Sequence, residues 1–170
     1  MNINLLYFMK NKKSIIIITL IAIVVGWVIW FGVNFAPGSY PYAEEYVLNF
    51  PEEEVHKAIA EFKQDHPEYV VPKVTINNQG SFDLVDELVD PNSYWYKFYF
   101  YDKAENKILY TWTRSKGKNK TTFAFVGINN GLDIPKWKDI NKDFSRSDNN
   151  REKKKFEERI LNKIQEQLSK

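Results

Sequence analysis

Few residues in this chain could attack a substrate, carry protons or hold a metal. There is no cysteine. That excludes thiol catalysis, cysteine-ligated metals, a lipid-modified cysteine anchor and structural disulfides. The two histidines, His56 and His66, stand ten residues apart. On a helix that places them roughly 80° apart, a poor arrangement for sharing a metal. His56 follows Glu52 at the four-residue spacing of an ordinary helical surface contact. Asp83, Asp86, Glu87 and Asp90 cluster between apolar residues. Two carboxylates suffice for glycoside hydrolysis, but this spacing marks neither an acid nor a nucleophile. Zinc-protease, Walker, dinucleotide-binding and nucleophile-elbow patterns are missing. The expectation is a non-catalytic protein with no cofactor and no metal, and a carboxylate-based hydrolase is the weakest reading.

Binding chemistry is better represented. The run Ser93–Asp102 holds seven aromatic residues in ten positions. The loop Arg114-Ser115-Lys116-Gly117-Lys118-Asn119-Lys120 and the run Lys153-Lys154-Lys155 concentrate positive charge. From Pro41 to Ser93 there are twelve acids and three bases, a balance of −9; from Tyr94 to Lys170 there are ten acids and eighteen bases, or +8. This asymmetry suits compensation within one fold, or a charged surface that steers a partner. An RNA-binding strand would combine aromatics with clearing glycines, and the aromatic run has none, so nucleic acid is not expected.

These residues must be positioned by regular elements. Tyr46–Phe50 reads as a strand. Pro51 opens a helix with Glu52, Glu53 and Glu54 in its first turn, where the helix dipole favours acids. Val55, Ala58, Ile59 and Phe62 form one apolar stripe, and Pro67 ends the helix. Val70–Ile76 looks extended, Asn77–Gly80 is a turn, and Phe82–Val89 is ambiguous between strand and loop. Three β-prone segments follow: the aromatic run, Ile108–Thr113 and Thr121–Ile128. Trp137, Ile140 and Phe144 suit a short helix. Asn149-Asn150-Arg151-Glu152 resembles a cap, and Phe156, Ile160, Ile164 and Leu168 mark a C-terminal helix. The fold class is α+β, one antiparallel sheet packed against two or three helices.

Strand alternation divides the aromatic residues between two faces. Pairing Asp102 with Lys107 sets Tyr101 opposite Ile108, Tyr99 opposite Tyr110, Lys97 opposite Trp112 and Trp95 opposite Arg114. Pairing Arg114 with Thr121 would set Trp112 opposite Phe123 and Tyr110 opposite Phe125. One face then collects Trp95, Tyr99, Tyr101, Ile108, Tyr110, Trp112, Phe123 and Phe125, with Lys97 and Arg114 over the indoles. Its apolar bulk predicts the helix-covered core. The other face carries Tyr94, Tyr96, Phe98 and Phe100, which with Arg114, Lys116, Lys118 and Lys120 form the candidate interaction surface.

The N-terminus sets the expected location. Ile15 to Val33 is free of charge over nineteen residues, about 28 Å as a helix, close to a bilayer's hydrocarbon core. Trp27, Trp30 and Phe31 sit at its far end, where interfacial aromatics belong. A cleaved signal peptide would be shorter and end on small residues. Lys10, Lys12 and Lys13 precede the run, and no base follows before Lys57, which predicts a cytoplasmic N-terminus. The expected organisation is a short cytoplasmic tail (1–13), a transmembrane anchor in the lipid bilayer (14–35), a linker (36–45) and an extracytoplasmic domain (46–170). In a bacterium that domain would occupy the periplasm or cell surface. The expected partner is a protein, as for envelope accessory or immunity-like proteins; a glycan or peptidoglycan ligand is the alternative.

Overall fold

The computed structural model describes the backbone of residues 3–34, 40–88 and 93–170, and the side chains of 15–30, 32, 40–88 and 93–170. The side chains of Lys10, Lys12, Lys13 and Phe31, residue 35 of the expected anchor, linker residues 36–39 and Asp90 lie outside the described residues. The chain divides into two units, Met1–Pro41 and Tyr42–Lys170.

The first unit contains α1 (Ile3–Asn34), thirty-two residues long, or about 48 Å. It has no polar stripe. Its large apolar side chains from Ile15 to Trp30 are all 50–66% exposed. Among the described residues no helix is long and apolar enough to cross a membrane.

The second unit is a small α+β domain. Its strands are β1 (Glu44–Leu48), β2 (Val74–Ile76), β3 (Gln79–Phe82), β4 (Glu87–Leu88), β5 (Tyr96–Asp102), β6 (Lys107–Ser115), β7 (Thr121–Asn130) and β8 (Lys138–Asp139). Its helices are α2 (Glu52–Asp65), α3 (Arg146–Phe156) and α4 (Asn162–Leu168), with a π-helical segment, Glu157–Leu161, joining the last two. The main sheet is antiparallel in the order β1-β7-β6-β5-β4, with β8 also on β7; β2 and β3 form a separate hairpin. Gly127 admits β8: a Cβ there would lie 2.7 Å from the Lys138 carbonyl oxygen.

Helix α2 buries Val55, Ala58, Ile59 and Phe62, the expected stripe. The β5–β6 register is also as expected from Asp102↔Lys107 through Lys97↔Trp112. The β6–β7 register differs by one residue: Arg114 faces Thr122, Trp112 faces Ala124, and a bulge follows so that Tyr110 faces Gly127. The five-residue loop, closed by the Lys116 N–H donating to the Lys120 carbonyl at 2.7 Å, makes Ser115↔Thr121 the last pair. A one-residue shift moves every side chain to the opposite face.

That shift overturns the expected core. Phe123 and Phe125 now share a face with Phe98, Phe100 and Leu109, and this is the face the helices cover. Phe156 stacks on Phe125 at 4.5 Å and lies 5.6 Å from Phe123, while Phe62 reaches Phe100 at 6.0 Å. Each such buried ring contributes roughly 1.5–3 kcal/mol. On the reverse face Trp112 packs over the small Ala124, and Val74, Ile108, Trp112, Ala124 and Val126 are buried outside the main cluster.

Two C-terminal expectations also change. Trp137–Phe144 forms β8 and a turn rather than a helix, because the Ile140 N–H bonds back to Val126 and Asn141 takes a left-handed φ of +63°. The cap of α3 is Ser145, whose hydroxyl accepts from the Asp148 N–H at 3.2 Å. Asn149 is instead buried, accepting from the Asn141 N–H and donating to its side-chain oxygen. Phe156, Ile160 and Ile164 are buried at four-residue spacing. That spacing drifts roughly 40° per step around an α-helix, and the wider π turn absorbs the drift.

Candidate functional site

One end of the main sheet gathers most of the charged and aromatic candidates. There β6 leaves the sheet at Ser115 and β7 returns at Thr121. The connecting loop holds a fixed shape. Besides the Lys116–Lys120 closure, the Ser115 hydroxyl donates to the Gly117 carbonyl at 3.0 Å. Gly117 has φ +87°, a left-handed conformation that a side chain would strain. Lys116, Lys118 and Lys120 are exposed. Among the described residues no carboxylate lies within ion-pair distance of them or of Arg114.

Arg114 is held by stacking. Its guanidinium lies 4.4 Å from the Trp95 ring centroid and 6.0 Å from that of Trp112, and the two indoles meet edge to face at 4.2 Å. The expected cation–indole contact is therefore formed by Arg114, whereas Lys97 turns to Glu87 at 3.3 Å. Tyr94 precedes Trp95 and is 80% exposed. The other three aromatic candidates lie elsewhere. Phe98 and Phe100 are 4% and 0% exposed in the helix-covered core, and Tyr96 is half-buried, its hydroxyl donating to the Asp86 carbonyl at 3.1 Å. The covered face follows from the register; Arg114 and the three lysines remain at the tip, and the exposed Tyr94 stands two residues before the Tyr96–Thr113 pair.

The first turn of α2 adjoins this tip. Thr113 donates to Glu52 at 3.0 Å, and His56 Nε2 lies 2.7 Å from the Thr113 hydroxyl and 3.6 Å from Glu52. Burial opposes ionisation of Glu52, but the nearby His56 and hydrogen bonds from Thr113 and the Ser115 backbone outweigh it and hold the carboxyl below its usual range. Since Thr113 gives its proton to Glu52, it accepts from the imidazole N–H. Thr113 is fully buried, so its hydroxyl is not presented to a substrate. The trio ties α2 to β6, and the His56 ring packs against Tyr96 at 4.4 Å. Glu53 and Glu54 are exposed beside it.

The acidic cluster is separately occupied. Asp83 pairs with Lys73 at 3.5 Å and Glu87 with Lys97. Asp86 takes Lys63 from α2 and accepts the Tyr99 N–H at 3.0 Å. Desolvation lowers the Lys63 pKa, and Asp86 opposes that change. Among the described residues no group of three or more histidines and carboxylates could hold a metal.

At the far end of β6 the charges are densely paired. Lys107 reaches Glu105 at 2.7 Å and Glu152 at 2.9 Å; Lys155 joins Glu105 at 2.7 Å, and Arg159 bridges Asp102 and Glu105. Hydrogen bonds from Lys107 and Lys155 hold the Glu105 carboxyl down at about 2. Sequence reasoning missed this network, whereas it anticipated Arg114 over Trp95. The signal for the network was Asp102, Glu105 and Lys107 in one hairpin, with Glu152, Lys155 and Arg159 at helical spacing. Compared with protein-family models, curated proteins and solved structures, the chain matches none.

Proposed function

We propose that this is a single-pass, membrane-anchored protein whose domain lies outside the cytoplasm and binds another protein without catalysis. The observation that carries the anchor is α1, whose described apolar side chains are exposed on every side. A helix apolar all round needs a nonpolar surrounding, and lipid supplies one. The uncharged run Ile15–Val33 and the preceding lysines support insertion with the N-terminus inside. The open basic tip supports a binding role, because its cations are not consumed by the domain's ion pairs. A glycan ligand would rest on Tyr99, Tyr110 and Trp137. Yet Tyr99 and Tyr110 stack on each other at 5.2 Å, and Trp137 lies 6.2 and 5.8 Å from them, so these rings are engaged with one another.

Two measurements on the full chain test this reading. It should remain with membranes through alkaline carbonate extraction; release into the soluble fraction would overturn the anchor. A reporter fused after Lys170 and active only outside the cytoplasm should be active. A stable but inactive fusion would overturn the orientation.

A further inference from the structure

We propose that the tip formed by Tyr94, Arg114, Lys116, Lys118 and Lys120 docks a short acidic segment of a partner protein, an inference that rests on the protein-binding reading above. Three lysines within five residues have no carboxylate partner among the described residues. A partner's carboxylates would supply the missing charge. The loop is already shaped by its two internal hydrogen bonds and by Gly117, so little ordering is lost on binding. Arg114 is likewise immobilised on Trp95, the neighbour in sequence of the exposed Tyr94. Arginine, tryptophan and tyrosine are the residues that most often dominate protein interfaces.

Charge complementarity selects a protein over a polyanion or a lipid surface. Glu53 and Glu54 are exposed on the first turn of α2, and Glu52 is bonded to the end of β6. A uniformly negative polymer or bilayer would meet these carboxylates as well as the lysines. A folded partner can place an acidic run on the loop and basic or neutral residues against α2. The chain enters the domain at Tyr42, whose carbonyl accepts from Asn141, and β1 then runs toward the tip, where Leu48 pairs with Thr121. The tip therefore stands at the other end of β1 from the entry point.

The test uses the full chain in nanodiscs of zwitterionic lipid and a labelled peptide of alternating Asp and Glu, followed by fluorescence anisotropy. Binding is expected at low salt and should weaken as salt screens it. Lys116→Gln/Lys118→Gln/Lys120→Gln should reduce affinity about tenfold, and Tyr94→Ala or Arg114→Gln about threefold. Lys103→Gln/Lys136→Gln/Lys170→Gln makes the same change in net charge away from the tip and should alter affinity less than about twofold. Circular dichroism confirms that each variant is folded. No peptide binding, or equal loss in the two triple variants, would overturn the proposal. So would tighter binding of inorganic polyphosphate or anionic vesicles than of the peptide. None of these outcomes touches the anchor or its orientation, which the extraction and reporter assays read separately.

Discussion

Strand β6 carries basic residues at both ends and uses them differently. At its start, Lys107 lies between Glu105 and Glu152, and Lys155 and Arg159 complete a network that joins the β5–β6 turn to α3 and the π segment. The acids in this network have side chains only 7–21% exposed, so water screens the pairs weakly. At its end, Arg114 rests on an indole and the three loop lysines project into solvent. The same residue types are structural at one end and available at the other. What separates them is whether the fold brings a carboxylate within reach, a property of topology that composition does not reveal.

The largest test of this contrast is Lys107→Ala. It leaves Glu152 buried without its closest cation, and should cost about 3 kcal/mol, read from urea unfolding. A loss close to zero would place the two ends on an equal footing. Acid should expose the same difference. The Glu105 carboxyl titrates near 2 in the folded domain against a reference of 4.5. Its contribution is complete above about 4.5 and disappears as pH falls toward 2. Calorimetry should therefore show a steeper fall in melting temperature across that window for the native chain than for Glu105→Gln. Parallel curves would count against the network.

Smaller effects sharpen the other side. Gly117→Ala should cost about 1 kcal/mol through its positive φ alone, since nothing lies within 4 Å of the added carbon. Thermal unfolding would detect it. Smallest of all, Lys116→Gln/Lys118→Gln/Lys120→Gln should change stability by less than about 0.5 kcal/mol. A larger loss would show that the tip lysines serve the fold.

Much of the frame was legible because local signals agreed. Pro51, three acids and one apolar stripe specified α2, and Asp102 facing Lys107 specified the β5–β6 register. The β7 register was not legible in the same way. Thr121 and Thr122 are identical in type, so side-chain pattern could not choose between them at the end of β6, and the bulge beyond Trp112 has no residue signature. That single ambiguity carried Phe123 and Phe125 to the wrong face and inverted the expected core. The tip's lysines were evident as a run, and the β5–β6 register already set Trp95 opposite Arg114; that no described carboxylate reaches the lysines depended on tertiary structure. Asn149 read as a cap because asparagine is favoured there, whereas the fold spends its amide on Asn141.

The π segment Glu157–Leu161 has a consequence for chain length. Buried positions Asn149, Glu152, Phe156, Ile160 and Ile164 would fall into alternating three- and four-residue steps if one residue were removed between Phe156 and Ile160. The C-terminal helix is thus one residue longer than its packing requires, and the surplus is stored as a widened turn. Deleting Glu158, an exposed residue within that turn, should let the helix close into regular α geometry with both flanks still facing the sheet. A comparable deletion in α2 would rotate half of its stripe into water. Length variation in this domain should therefore be tolerated at that turn before it is tolerated in α2.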